Sequence, residues 1–401
     1  MKIAVLMDRI TPGASPKLMG REISVLQSLG HEVEGLSVMD LGLPTDAYQF
    51  QEYLSGLPVR YIAEEHPWLR RFDFRIPPFS FFAAFDVVAA YMMPRFLRQA
   101  NQYDLIIAHT TISCWIAQGL QKRLGIPYVA YVWDPITQIL NDIYRSKLPG
   151  PLWKLAFAYG RRLDRRIIDE SLFGLAGSDT DANIIEHFTD RRLDVLYPGV
   201  DVPKSTPSKR GDYLLTIDRW DIGNNPTWLL EVLAGVSDTT LLKVAGFWWP
   251  ASLQTKFRAR VREMGLDERV QILGPVTERE LDDLYFGARA LIFPHREAIN
   301  LPVMEAAAHG CPSVVQKGFN LFTDGVDAFL PDPGDSGAGP TVVDENTSRP
   351  ADLTTFINAT RSLINDERLA WDMGQRARAL VTNYSWDAHG HRLAAMIETH
   401  T

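Results

Sequence analysis

Glu297 and Glu305 stand eight positions apart in the stretch Leu291 to Gln316, with Leu301 and Pro302 between them. Two carboxylates can serve as acid and base on one bond, as in a hydrolase. The intervening positions argue against that use, because Glu297 falls in a loop and Glu305 at least one helical turn further on. Each can instead accept hydrogen bonds from hydroxyls at opposite ends of one long ligand. A plainer reading makes Glu305 a cap or a solvated residue of a surface helix, and spacing alone leaves both readings open. Other polar groups stand at the ends of strand-like runs elsewhere: His109 at the end of Asp104 to His109, Asp134 just past Tyr128 to Val132, and Arg219 just past Tyr213 to Ile217.

The elements that would position these groups follow from pattern. Ala290 to Phe293 is a short apolar run and reads as a buried strand. Pro294, His295 and Arg296 break it. Pro302 fits the first turn of a helix, followed by the strong helix formers Met304 to Ala308. Gly310 ends that helix, Pro312 blocks its continuation, and Ser313 to Val315 begins another strand. One glutamate therefore belongs to the loop at a strand's carboxyl end and the other to the helix that follows, where ligands bind in open α/β sheets.

The same alternation runs through the chain. Ile3 to Met7 reads as a central parallel strand, Lys17 to Leu29 as a helix and Val33 to Val38 as the next strand, which makes a βαβ unit. No G-x-G-x-x-G follows the first strand, so a dinucleotide fingerprint is absent. Cys114 to Leu124 reads as a helix between the strands that end at His109 and before Trp133. His109 and Asp134 then share one rim of one sheet; the alternative for His109 is an internal structural histidine. A mixed-charge helix with a solvated face is expected from Gly160 through Arg166. Val202 to Asp212, rich in Pro, Ser and Lys, reads as an interdomain linker. A second α/β series begins at Tyr213.

Composition limits the function classes. The 401 residues suffice for two or three domains, and 46% hydrophobic content supports full-sized cores. A formal net charge of −8 disfavours a nucleic-acid partner. Cys114 and Cys311 sit in apolar surroundings and read as buried free thiols of a cytoplasmic protein. No run approaches the roughly 18 apolar residues of a spanning helix, and the N-terminal run is too short for a signal-peptide core. No D-x-D pair or His/Cys/Asp cluster is read as a metal site, so metal-independent chemistry is expected.

The stretch around the two glutamates resembles the E-x7-E signature of glycosyltransferase family 4, retaining enzymes of the GT-B fold. Glu297, Leu301, Pro302, Glu305, Ala306, Ala308, Gly310, Pro312 and Val314 are in register with it, while its G-F-G is replaced by Ala298-Ile299-Asn300. The resemblance implies an α/β chain of two facing Rossmann-like domains with a cleft between them. It divides the chain into an acceptor-side domain over 1–202, a nucleotide-sugar-binding domain over 203–383, and a closing helix over 384–401 that packs back on the first domain. It also assigns roles. Glu305 would hold ribose hydroxyls, and Glu297 the hydroxyls of the transferred sugar. Asn300 and Leu301 would offer backbone N–H groups. Arg219 would face the donor diphosphate, and Gly13, in the reduced pair Gly13-Ala14, would approach the donor phosphates. His109 and Asp134 would face the transferred sugar; the family's usual histidine position is Trp133 here, which shifts that contact to Asp134. The family's lysine position near Asn224 is unfilled.

The implied activity is transfer of a sugar from a nucleotide-sugar donor to a glycan or lipid-linked acceptor, with no cofactor beyond the donor substrate. The alternative is a nucleotide-sugar-binding protein of the same fold with little or no transferase activity, favoured by the lost glycines and lysine. Residues 57–100 mix aromatics with arginines. They fit either a peripheral contact at the inner face of a membrane or a pair of core helices.

Overall fold

The structure is a computed structural model of the whole chain, and it describes residues 1–10, 14–40, 53–66, 81–97, 102–206, 209–220, 226–293, 301–317, 321–331 and 353–401. Contacts divide it into two compact units. Met1–Pro44, Phe50–Pro198 and Trp386–Thr401 form one; Gly199–Ser385 form the other.

The first unit is built on seven parallel strands: β1 (Lys2–Ile10), β2 (Glu32–Asp40), β3 (Val59–Tyr61), β4 (Leu105–His109), β5 (Tyr128–Val132), β6 (Phe173–Ala176) and β7 (Asp194–Val195). Their order in the sheet is β3-β2-β1-β4-β5-β6-β7. Every residue of β4 and β5 is buried, as expected of strands covered on both faces. Two separate clusters of buried side chains, one containing Leu6 and Ile106 and the other Val5 and Ile107, reflect the alternation of the strands between faces. The chain's final helix, Trp386–His400, packs against helix Ala14–Ser28. The approach is close: a Cβ at Gly390 would lie 2.0 Å from Val25 Cγ1.

The second unit holds five parallel strands: β8 (Tyr213–Ile217), β9 (Leu241–Ala245), β10 (Val270–Gly274), β11 (Ala288–Phe293) and β12 (Ser313–Val315), in the order β10-β9-β8-β11-β12. In each unit the winding reverses once, between β1 and β4 and between β8 and β11. Those are the places where open α/β sheets take their ligands.

Two details differ from the sequence reading. The helix expected to start near Gly160 begins ten residues earlier and spans Gly150–Asp169. Pro149 stands at its N-cap and Pro151 in the first turn, where no hydrogen bond is lost. The linker also ends in a structural residue. Arg210 is buried, and its Nη1 donates to the Tyr285 carbonyl at 2.8 Å while Nη2 donates to that of His309. Cys114 and Cys311 are buried and unpaired, and burial pushes both thiols up, Cys311 to about 11. Among the described residues no helix is long and apolar enough to cross a membrane.

Candidate active site

In the second unit the segments after β8 and β11 flank the switch point. Helix Leu301–Ala308 follows β11, with Pro302 in its first turn and Gly310, at φ +68°, ending it. Gly310 is also constrained by space, since a Cβ there would meet Arg210 Nη2 at 2.9 Å. Two cations hold the carboxyl end of this helix: Arg210 donates to the His309 carbonyl and Arg378 Nη1 to that of Ala308. Cations there complement the helix dipole.

Glu305 lies within this helix and is 7% exposed. Its Oε2 accepts a hydrogen bond from Tyr285 Oη at 3.0 Å. Burial, and then the Glu305 charge, push the Tyr285 phenol well above its ordinary value, so it stays a donor. The ring of Tyr285 lies 5.1 Å from that of His309. The imidazole in turn bridges the Glu305 carbonyl (Nδ1, 2.7 Å) and Asp282 Oδ1 (Nε2, 2.9 Å). Glu305 is thus an integral part of the fold, which removes the reading of a solvated surface residue. Leu301 opens the helix and is buried.

Arg219 follows β8 and is exposed, its N–H donating to Asp218 Oδ1 at 2.7 Å. The next residue anchors it. Trp220 donates from its backbone to Phe247 (2.7 Å) and from Nε1 to the Ala245 carbonyl (2.8 Å). Gly246 lets the two loops meet: with φ +115°, its Cβ would lie 1.8 Å from the Asp218 carbonyl oxygen.

In the first unit, Asp134 follows β5 on the carboxyl rim and its side chain reaches solvent. Protein atoms still crowd it, and that crowding, with the Asp142 charge, raises its carboxyl above the ordinary value. The Asp134 carbonyl accepts from Thr111 Oγ1 at 2.5 Å. His109 lies on the adjacent strand but behind the rim, with 0% exposure. Its Nε2 meets Glu22 Oε2 at 2.7 Å, and Glu22 Oε1 meets His389 Nε2 at 2.9 Å. His389 Nδ1 meets the Tyr197 carbonyl at 2.8 Å. Burial would raise the Glu22 carboxyl, but the charges and hydrogen bonds of the two histidines outweigh it and hold it at about 2.

The rim also carries groups the sequence reading passed over. Asp8 is buried and accepts from Thr110 Oγ1 (2.7 Å) and Ser113 Oγ (3.2 Å) through Oδ1. Thr110 caps helix Thr111–Leu124 in a left-handed backbone conformation, φ 75°. A non-glycine residue held there is strained, and such strain collects at ligand sites. Asp8 was visible as the end of an apolar run; nothing local marks Thr110 or Glu22. The D-x-D triplet Asp179-Thr180-Asp181, which the metal reading overlooked, starts helix Asp179–Thr189. There Asp181 exchanges hydrogen bonds with Ser178, its N–H donating to Oγ and its Oδ2 accepting from it. Among the described residues no group of three His, Cys, Asp or Glu could hold a metal ion. Gly13, Glu297 and Asn300 lie outside the described residues, as does the unfilled lysine position near Asn224.

Comparison with known proteins bears on the same segments. The family described as Glycosyltransferase Family 4 matches residues 22–204, and that described as Glycosyl transferases group 1 matches residues 212–339. The chain is 27% identical over 340 residues to D-inositol 3-phosphate glycosyltransferase of Frankia alni, covering 76% of this chain and 78% of that protein. The protein of the same name from Corynebacterium efficiens is 22% identical over 327 residues, covering 75% and 72%. Among solved structures, Anabaena HepE in complex with UDP and glucose superposes with a TM-score of 0.71 at 16% identity, with 100% of both chains covered. Sucrose-phosphate synthase of Thermosynechococcus elongatus gives 0.73 at 13% identity, covering 100% of this chain and 98% of that one. The two parallel-sheet α/β units and the matched segments have one conclusion: the chain belongs to glycosyltransferase family 4 and has the GT-B fold.

Proposed function

We propose that the chain is a retaining glycosyltransferase that moves a sugar from a nucleoside-diphosphate sugar to a glycan or lipid-linked acceptor. One observation carries the reading. In the second unit the winding reverses between β8 and β11, and the segments after those two strands carry Arg219 and Glu305. A cation and a carboxylate flanking one switch point suit the two ends of a nucleoside diphosphate. The carboxylate accepts the ribose hydroxyls, and the guanidinium offsets charge on the diphosphate as the sugar departs. Anabaena HepE binds UDP-glucose with the same fold, which supports a donor of this class.

Glu297 holds hydroxyls of the transferred sugar, Asn300 and Leu301 offer N–H groups, and Gly13 approaches the phosphates. On the acceptor side Asp134 faces the sugar. His109 acts from behind, orienting the rim through its contact with Glu22. The departing phosphate accepts the acceptor's proton, so neither glutamate need be a nucleophile. No metal takes part. The test is release of free nucleotide from a panel of nucleotide sugars, with and without excess chelator. Turnover that survives chelation is expected. Binding without release on the whole panel would leave only a nucleotide-sugar-binding protein, and activity lost to chelator but restored by Mg²⁺ or Mn²⁺ would refute the metal-free reading.

A further inference from the structure

Some of the large apolar side chains most open to solvent gather on two helices of the first unit. Leu152, Leu155 and Tyr159 recur at i, i+3 and i+7 on helix Gly150–Asp169, so they form one stripe, and Leu155 is 68% exposed. One turn on from Tyr159 the same line passes under cover at Leu163, and the adjoining side of the helix, with Gly160 and Ile167, is buried. Val87 and Tyr91 stand one turn apart on helix Phe81–Phe96 and are about half exposed. The Tyr91 and Tyr159 hydroxyls hydrogen-bond at 2.8 Å, which joins the two stripes into one patch. Scattered exposed apolar residues are ordinary; a contiguous patch marks an interaction surface.

Charge identifies the occupant. Each stripe runs on into cations, Val87 and Tyr91 into Arg95, Tyr159 into Arg162. Before the helix, Arg145 lies over the Trp153 ring, 5.4 Å from its centroid. From Ile143 to Ile168 the sequence holds seven Lys and Arg and one acid, Asp164, in a chain whose net charge is −8; Arg161 and Arg165 pair with Asp190 and Arg166 with Glu170, so the face draws its charge from the other cations. Asp164 is buried and accepts hydrogen bonds from the backbone of Ile136 and Thr137, so it does not face the patch. A second copy docking by two-fold symmetry would set these cations against one another. We infer that this face binds an anionic lipid surface, its apolar side chains entering the interface and its cations meeting headgroup phosphates.

The patch extends the contact read for residues 57–100, which supply Val87 and Tyr91, onto helix Gly150–Asp169, most of whose stripe precedes the segment expected to show a solvated face. Residues 67–80 and 98–100 lie outside the described ones. The inference does not depend on transferase activity, and neither does its test. The full chain is sedimented, without donor, with phosphatidylcholine vesicles and with vesicles also containing phosphatidylglycerol. Binding only to the anionic vesicles, weakening as salt rises, is expected. Leu155→Glu should reduce it about tenfold or more, and Arg95→Glu with Arg162→Glu should abolish the preference for anionic lipid, all with unchanged thermal melts. Absence of native binding, or native-like binding by both variants, would overturn the inference. So would a dimer in analytical ultracentrifugation that Leu155→Glu dissociates, because the face would then belong to a second copy.

Discussion

Glu22 and Glu305 are two buried carboxylates on helices that each follow a strand at a switch point, yet their partners differ. Both oxygens of Glu22 meet imidazoles, which can carry positive charge, and the carboxyl is held at about 2. Glu305 meets a phenol kept protonated by burial. An anion paired with cations is satisfied by the protein itself and serves to hold elements together. The phenol brings Glu305 a hydrogen bond but no charge. The contrast sets a carboxylate that ties elements of the first unit together beside one proposed to meet the donor's ribose.

Removing Glu22 should break the comparison most visibly. Glu22→Ala leaves the Nε2 atoms of two buried imidazoles without the acceptor they now share and should cost about 3–5 kcal/mol in denaturant unfolding of the first unit. The same group predicts a pH dependence. Its folded value of about 2 lies below the ordinary 4.5, so its contribution is complete above pH 4.5 and is lost as pH falls toward 2. Native melting temperature should drop across that window, and Glu22→Gln should lack that part of the drop. A native-like unfolding curve for Glu22→Ala would show that the two histidines are satisfied without it.

Glu305→Ala should act on binding instead. Loss of a charged acceptor is worth on the order of 1.5–3 kcal/mol, so calorimetry with free nucleoside diphosphate should show roughly ten- to a hundred-fold weaker binding. Unchanged affinity would remove Glu305 from the ribose end of the donor. Tyr285→Phe gives the smallest effect. It deletes the hydrogen bond from a neutral phenol to the Glu305 carboxylate but leaves the carboxylate itself, and should weaken nucleotide binding only a few-fold through a less constrained Glu305. A larger loss than Glu305→Ala would make the tyrosine itself the ligand contact.

The strands and the Glu305 helix were legible because their signals are local. Apolar runs five residues long, Pro302 in a first turn and Gly310 at a helix end each act on their neighbours in sequence. Glu22 gave no such signal. It occupies an ordinary helical position, and its partner His389 lies 367 positions away. The exposed stripe of Leu152, Leu155 and Tyr159 drew no reading for a related reason. Periodicity shows that a helix is two-faced, but the same apolar spacing describes a stripe turned to the core and one turned to solvent.

The return of Trp386–Thr401 to the first unit has a consequence for synthesis. A ribosome delivers the described residues of the second unit together, all between Gly199 and Ser385, able to fold on contacts already made. The first unit, begun earlier, must wait. Until His389 emerges, Glu22 has only one of its two imidazoles, and the face of helix Ala14–Ser28 that receives Gly390 stays open to water. The half of the protein that is made first is therefore finished last, and a stalled chain lacking its final sixteen residues would present that uncovered helix face to chaperones and proteases.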